Sequence, residues 1–148
     1  MSGGFRLLVD AAHVELAARG YEDVRPVHDF AIRAIASGAD NASELGRRLA
    51  VSKQAAAKTI GVLQMRGYVV READAVDARR KRLRVTARGF SMLREAEEIF
   101  DELRNQWARQ IGTTQLEEIE KHLAELVSTD PLRLDTSGWL AQHQTLED

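Results

Sequence analysis

Apolar residues recur every three or four positions along most of the chain, which is the period of an α-helix. This spacing predicts a first helix over about 5–19, ended by a glycine, and a second helix that begins at Pro26. Two longer helical patterns occupy about 87–110 and the segment that ends near Val127. We therefore expect a mainly helical protein that is followed by a tail at 129–148.

Between the early and the late helices, two short helical patterns are joined by a tight turn. The first follows Asn41, and Glu44 three residues later makes a variant of the capping box. The second follows Ser52, another favoured N-cap residue, and ends before Gly67. Two short helices joined by a turn of a few residues are typical of a helix-turn-helix.

The period of the pattern changes after Gly67. Residues 68–71 predict a short strand, and 74–81 are polar and typical of a turn. Residues 82–86 then alternate strictly, which predicts a strand with one basic face and one apolar face. A β-hairpin directly after a helix-turn-helix is the wing of a winged helix. The predicted fold class is therefore mainly α, of the α+β type.

The charge is distributed unevenly, although the net charge is only −2. Between Glu44 and Gly89 there are twelve Lys and Arg but four Asp and Glu, so this segment carries +8 and the remainder −10. A basic segment of this size suits a polyanion such as double-stranded DNA. Six of its cations lie within ten residues at the hairpin: Arg79, Arg80, Lys81, Arg82, Arg84 and Arg88.

Several other classes of protein are not supported by the sequence. There is no cysteine for a disulfide or a thiolate metal site, and no apolar run of about 18 residues for a membrane span. No secretory signal is visible, which favours a cytoplasmic protein without a membrane partner. We find no P-loop, GxGxxG, HExxH or nucleophile-elbow motif, so neither an enzyme nor a cofactor is expected. The histidines lack metal-ligand spacing: His13, His28, His122 and His143.

The order of these elements resembles the multiple antibiotic resistance regulator (MarR) family. The segment from Asp77 to Gly89 matches the family's wing pattern of Asp-x-Arg, three variable residues, two alternating aliphatic residues, Thr, and Gly three positions later. The resemblance extends over about 27–127 and implies a homodimer that binds DNA. It implies one domain, 1–148. The winged helix-turn-helix lobe would occupy about 27–89, the dimerisation segments about 5–20 and about 87–128, and the tail 129–148. The dimerisation candidates are apolar: Phe5, Leu8, Leu16, Ile119, Leu123, Leu126 and Trp139.

The second helix of the helix-turn-helix is expected to present its N-terminal residues to the major groove. Gln54 can bond adenine through two hydrogen bonds, and lysine can reach guanine or a phosphate. Ser52 can alternatively be only a helix cap, and the lysines can lie on a solvated face. The candidates on this helix are Ser52, Lys53, Gln54, Ala57 and Lys58.

The wing supplies a second set of DNA-binding candidates. The resemblance implies that Arg79 enters the minor groove and that Asp77 braces it, although Asp77 can also be a turn-forming residue. It further implies that Arg80, Lys81 and Arg82 contact phosphates. In a twofold dimer the two recognition helices lie about 34 Å apart, which predicts a palindromic DNA site.

Members of the family often bind small phenolic or anionic molecules between the dimer helices and the DNA-binding lobe. The polar and aromatic residues expected nearest such a place are His13, Tyr21, His28, Arg33 and Trp107, although each histidine can equally be structural. We therefore expect a dimeric repressor that is relieved by a small aromatic or anionic effector. The alternative is an architectural or weakly specific DNA-binding protein without a ligand, because the recognition helix offers few polar side chains. A winged helix that binds another protein would not need the arginine-rich hairpin.

Overall fold

The computed structural model describes the backbone of residues 2–129 and the side chains of residues 7 and 9–125. The described chain forms six helices and a two-stranded antiparallel sheet. In chain order they are α1 (Ser2–Ala18), α2 (Pro26–Ala36), α3 (Ala42–Leu49), α4 (Lys53–Met65), β1 (Val69–Ala73), β2 (Lys81–Val85), α5 (Ala87–Ile111) and α6 (Thr113–Thr129). This architecture confirms the predicted fold class. Within the described range, no helix combines the length and the apolar character that a membrane span needs.

Side-chain caps begin α3 and α4, as the sequence predicts, and Thr86 caps α5 in the same way. The carbonyl oxygen of the Asn41 side chain accepts the backbone N–H of Glu44 at 2.9 Å, and Ser52 Oγ accepts that of Ala55 at 3.0 Å. Each cap satisfies one of the N–H groups that have no partner within the helix. Gly46 within α3 leaves no space for a side chain, because a Cβ there would lie 2.9 Å from the carbonyl oxygen of Val51 in the turn before α4.

The hydrophobic core lies between the helix-turn-helix, the hairpin and the N-terminal half of α5. Its largest fully buried side chains come from five elements and the segment before β1: Ile32, Leu45, Ile60, Leu63, Tyr68, Val69, Met92 and Ile99. The long helix approaches the sheet closely at Gly89, where a Cβ would lie 2.4 Å from the carbonyl oxygen of Tyr68. The glycine of the wing pattern therefore lets α5 pack directly on the backbone that precedes β1.

The hairpin has the two faces that its alternating pattern predicts. Leu83 and Val85 are buried, whereas Arg82, which precedes Leu83, and Arg84, which lies between the two, are exposed. The strands pair in a register that places Val69 opposite Val85. The apolar face packs on the core, so the basic face remains turned to solvent.

The apolar face of the last helix is only partly covered. Leu116 is buried, but Ile119 and Leu123, both predicted as dimerisation residues, are 48% and 56% exposed in the single chain. The reason is that α6 packs chiefly along α5, and α5 covers only one side of the apolar face of α6. Leu16 differs from the other dimerisation candidates because it is buried in the protomer's own core. Four candidates have side chains outside the described residues: Phe5, Leu8, Leu126 and Trp139.

Candidate nucleic-acid interface

Helix α4 has one buried face and one exposed face. The buried face consists of Ala56, Thr59, Ile60 and Leu63, which pack on the core. The structure brings the predicted DNA-binding residues together on the other face, towards the N-terminus of the helix: Ser52, Lys53, Gln54, Ala57 and Lys58 are all exposed. Apart from the Ser52 cap, no hydrogen bond or ion pair ties these side chains to the described part of the protein. The face is therefore available to a partner.

The turn of the wing is shaped by two aspartates. Asp74 Oδ1 accepts the backbone N–H groups of Val76 at 2.7 Å and Asp77 at 3.4 Å. The Val76 hydrogen bond is the main cause that lowers the pKa of Asp74 below its usual range, although partial desolvation opposes it. Asp77 Oδ1 in turn accepts the backbone N–H of Arg79 at 3.0 Å. Asp77 thus contacts the main chain of the residue that it is predicted to brace, in the manner of a turn-forming aspartate.

The six cations of the hairpin fall into two groups. Arg79, Arg80 and Lys81 at the tip are exposed and make no ion pair within 4.0 Å with any described residue. The other three have partners inside the protein: Arg82 pairs with Asp74 and Asp40, Arg84 with Glu72, and Arg88 stacks on Tyr21 and Tyr68. In the sequence the two groups are adjacent, with the three tip residues first. The position of Arg84 and Arg88 at the base of the wing indicates a structural role for them, whereas nothing local separates Arg82 from the tip.

One exposed cation near the hairpin was not among the sequence candidates. Arg71 lies on β1, opposite Leu83, and makes no ion pair with a described residue. Its position in the first strand of the basic hairpin was the available signal. Arg47 on α3 is also exposed, but it pairs with Glu44 on the same helix.

The residues predicted for an effector pocket are mostly engaged in contacts within the protein. His28 is buried on α2, where its Nδ1 accepts the backbone N–H of Arg25 at 3.0 Å. Burial, reinforced by the positive charge of Arg66, lowers the pKa of His28 to about 4. His28 is therefore a neutral acceptor at physiological pH.

The other predicted pocket residues lie on four different segments. Arg33 on α2 pairs with Asp29 at 2.8 Å and with Glu97 of α5 at 3.1 Å. Tyr21 stacks on Tyr68, with 6.4 Å between the ring centroids. His13 on α1 is partly buried, and Trp107 near the end of α5 is 41% exposed. Among the described residues, no three His, Asp or Glu side chains group in a way that could hold a metal ion.

Two short helices with a tight turn, an exposed polar face on the second, and a two-stranded hairpin with a cationic tip define a winged helix-turn-helix protein. Residues 30–80 match the family model described as the MarR family. The match runs from within α2 to the turn of the wing, and it confirms the resemblance seen in the sequence. A comparison with curated protein sequences finds no match.

Solved structures with the same fold span nearly the whole chain. YusO from Bacillus subtilis is 15% identical, with a TM-score of 0.69 over 87% of this chain and 90% of that chain. Streptococcus pneumoniae FabT in complex with DNA is 18% identical, with a TM-score of 0.68 over 86% and 90%. The S. aureus MepR–DNA complex is 18% identical, with a TM-score of 0.65 over 86% and 93%, and MepR has also been solved with ethidium bromide. At these identities the likeness establishes the fold.

Proposed function

We propose that this chain is a DNA-binding transcriptional regulator that acts as a dimer. The observation that carries the proposal is the pair of exposed surfaces described above, the N-terminal face of α4 and the cationic tip of the wing. Both belong to one lobe, and neither is neutralised by described residues. Proteins of the MarR family are DNA-binding transcriptional regulators, and the FabT and MepR structures hold DNA, which supports this assignment.

In this proposal α4 enters the major groove with its N-terminal residues towards the bases. Gln54 bonds an adenine edge, and Lys53 and Lys58 reach guanine or phosphate oxygens. Ala57 contributes only a methyl group, which suits the methyl group of thymine. With so few polar contacts to bases, part of the discrimination comes from the shape of the DNA. Arg79 supplies that part by entering a narrow minor groove, where the negative potential is strongest.

A second protomer covers the apolar side chains that the single chain leaves exposed. They lie on the first helix and on the last two, outside the DNA-binding lobe: Leu7, Val14, Trp107, Ile111, Ile119 and Leu123. Burial of such a surface is the usual driving force for association. A twofold axis through it gives two DNA-binding lobes about 34 Å apart and a palindromic site.

The regulator that we propose is a repressor. Bound at a promoter, it occludes the polymerase, and a small aromatic or anionic effector releases it by favouring a lobe spacing that does not fit DNA. The predicted effector residues His13, Tyr21, His28, Arg33 and Trp107 lie on α1, α2, α5 and the loop after α1. The ethidium-bound MepR structure supports an effector site in this fold.

A second candidate function is an architectural or weakly specific DNA-binding protein. The observation that favours it is the small, apolar character of the reading face of α4, where Ala57 and Gly61 are exposed. The two functions differ in the ratio between the affinity for a selected site and the affinity for random duplex. A ratio near unity selects the architectural function, and a ratio of about 10³ or more selects the regulator.

The experiment that tests DNA binding is a shift assay at controlled salt, on sites selected from random duplexes. We expect Arg79→Ala and the double variant Lys53→Ala/Gln54→Ala each to weaken binding to the selected site. Arg94→Ala is the matched control, because it removes one exposed charge from α5, away from the two surfaces. If both site variants bind as the native protein does, the assigned surfaces are wrong. If the native protein binds no duplex, the proposed function itself is wrong.

A further inference from the structure

Arg82 differs from the three cations at the tip of the wing in what surrounds its guanidinium group. Its Nε forms a close ion pair with Asp74 Oδ2 and lies 3.6 Å from Asp40 Oδ2. The side chain of Asp74 is only 4% exposed, whereas that of Arg82 is 53% exposed. Arg82 therefore lies over a buried carboxylate and beside a second one.

The two aspartates belong to different parts of the DNA-binding lobe. Asp74 begins the turn of the wing, where its backbone N–H donates to the carbonyl oxygen of Arg80 at 2.8 Å. Asp40 lies directly before Asn41, the N-cap residue of α3. The carbonyl oxygen of Asp40 accepts the backbone N–H of Leu83 at 3.1 Å, beside Arg82. The Arg82 side chain thus bridges the wing and the start of the helix-turn-helix next to a backbone hydrogen bond that joins the same two segments.

This arrangement makes Arg82 a poor ligand for a phosphate. The group formed by Arg82, Asp74 and Asp40 carries one positive and two negative charges, so its net charge is negative and repels a phosphate. If the guanidinium group moved to a phosphate, the buried carboxylate of Asp74 would lose its cationic partner, which is unfavourable in a desolvated place. A charge-assisted contact of this kind is also directional, so it fixes the strand that carries it.

Building on the proposed DNA binding, we propose that Arg82 is a positioning residue that holds the wing against the start of α3 and does not contact DNA phosphate. This replaces the phosphate role that the sequence predicts for it. The tip cations Arg79, Arg80 and Lys81 then form the wing's contact with DNA. The bridge sets their distance from the reading face of α4, because it ties the wing to the start of α3, and α3 packs on α4.

The distinguishing measurement is the dependence of duplex affinity on salt concentration. A residue that neutralises a phosphate contributes about 0.9 to the magnitude of the slope of log affinity against log salt. We expect Arg80→Gln to reduce the magnitude of the slope by about this amount. We expect Arg82→Gln, which removes the same charge two residues away, to weaken binding roughly tenfold with an unchanged slope.

A double-mutant cycle supplies a second readout. Asp74→Asn removes a negative charge and keeps an oxygen for the Val76 N–H, so simple electrostatics predicts tighter binding to DNA. The bridge predicts weaker binding instead. It also predicts that the double variant Arg82→Gln/Asp74→Asn has the same affinity for DNA as the single variant with the lower affinity. Asp40→Asn is the corresponding variant if Asp74→Asn does not fold, because the Asp40 side chain is more exposed, at 24%.

Three results would overturn the positioning role: a slope that falls in Arg82→Gln as it does in Arg80→Gln, tighter binding by the aspartate variant, or additive effects in the cycle. Each of them leaves the proposed DNA binding intact, since the native protein still binds duplex with a salt dependence. If the native protein shows no salt-dependent affinity for any duplex, the proposed function fails, and the positioning role fails with it.

Discussion

Arg88 lies over the ring of Tyr21, with its guanidinium carbon 5.3 Å from the ring centroid. The same group lies 5.4 Å from the centroid of Tyr68, and its nitrogens donate to the carbonyl oxygens of Arg66 at 3.2 Å and Gly20 at 3.3 Å. The start of α5 is therefore tied to the loop after α1, to the end of α4 and to the residue before β1. One side chain joins the helices assigned to dimerisation to the lobe assigned to DNA binding.

From this contact we predict that Arg88→Ala lowers the free energy of unfolding by about 1–2 kcal/mol, because it removes cation–π contacts and two hydrogen bonds. Arg88→Lys restores little, since an ammonium group cannot lie flat on two rings and reach two carbonyl groups. Urea unfolding measures both. Arg84→Ala is the matched control, because Arg84 makes an exposed pair with Glu72, and exposed pairs contribute little to stability. Equal losses for Arg88→Ala and Arg84→Ala would contradict the prediction.

The buried His28 predicts a dependence of stability on pH. Its pKa is about 4 in the folded protein and close to 6.5 in the unfolded chain. Between these values the unfolded chain binds the proton and the folded protein does not, so stability is complete above about pH 6.5 and falls as the pH is lowered towards 4. We expect His28 alone to cost roughly 2 kcal/mol between pH 6.5 and pH 5.

The measurement is the free energy of unfolding at several pH values for the native protein and for His28→Gln. The glutamine keeps an acceptor for the Arg25 N–H and removes the titration, so the difference between the two proteins isolates His28. His122→Gln is the control, because His122 is exposed on α6. A native protein and a His28→Gln variant with the same pH dependence would show that His28 does not titrate in this way.

Two glycines of the helix-turn-helix predict opposite effects of alanine. Gly61 is exposed in the middle of α4, and apart from its chain neighbours and the backbone of its own helix no described atom lies within 4 Å of the position that a Cβ would take. Gly61→Ala should therefore stabilise the protein by about 0.5–1 kcal/mol, since alanine favours a helix more than glycine. Gly46→Ala should destabilise it, because the Cβ would meet the Val51 carbonyl oxygen at 2.9 Å. Thermal unfolding of the two variants tests this pair, and a change in the same direction would refute the comparison.

The exposed apolar residues of α6 predict the oligomeric state. Leu123 is 56% exposed, so Leu123→Glu should leave the fold of the single chain intact and separate the dimer. Sedimentation velocity measures the change in mass, and circular dichroism checks that the helices remain. The control is Val76→Glu, which places the same charge on an apolar side chain that is 96% exposed on the wing, far in sequence from α6. A monomeric native protein, or a Leu123→Glu variant that remains a dimer, would contradict the assignment of this face.

Much of the fold could be predicted because its signals are local. Asn41 and Ser52 are caps whose partners lie three residues away, and the alternation around Leu83 specifies a strand without any knowledge of its neighbours. The partners of the arginines could not be predicted in this way. Arg82 meets Asp40 across 42 positions of sequence, a contact that only the folded chain creates. Similarly, the helical spacing of Ile119 shows that it belongs to an apolar face but not which chain covers that face.

The same reasoning applies to the candidate site. The exposure of Lys53 and Gln54 follows from the helical period, so the sequence places them together without the structure. The predicted effector residues Tyr21 and Arg33 were chosen by chemical type, and both prove to have partners within the protein. Residue type indicates what a side chain can bind, whereas the number of its hydrogen bonds that are already used depends on packing.

The division of α4 into a packed face and a bare face has a consequence for how this protein can change. The fold depends on the bare face only through the Ser52 cap, so Lys53, Gln54, Ala57 and Lys58 can be replaced with little effect on folding. Replacements one or two positions along the same helix, such as at Ala56 or Ile60, would unpack the core. Different residues therefore determine the target preference and the conformational stability. Descendants of this sequence can come to recognise new DNA sites without first becoming more stable.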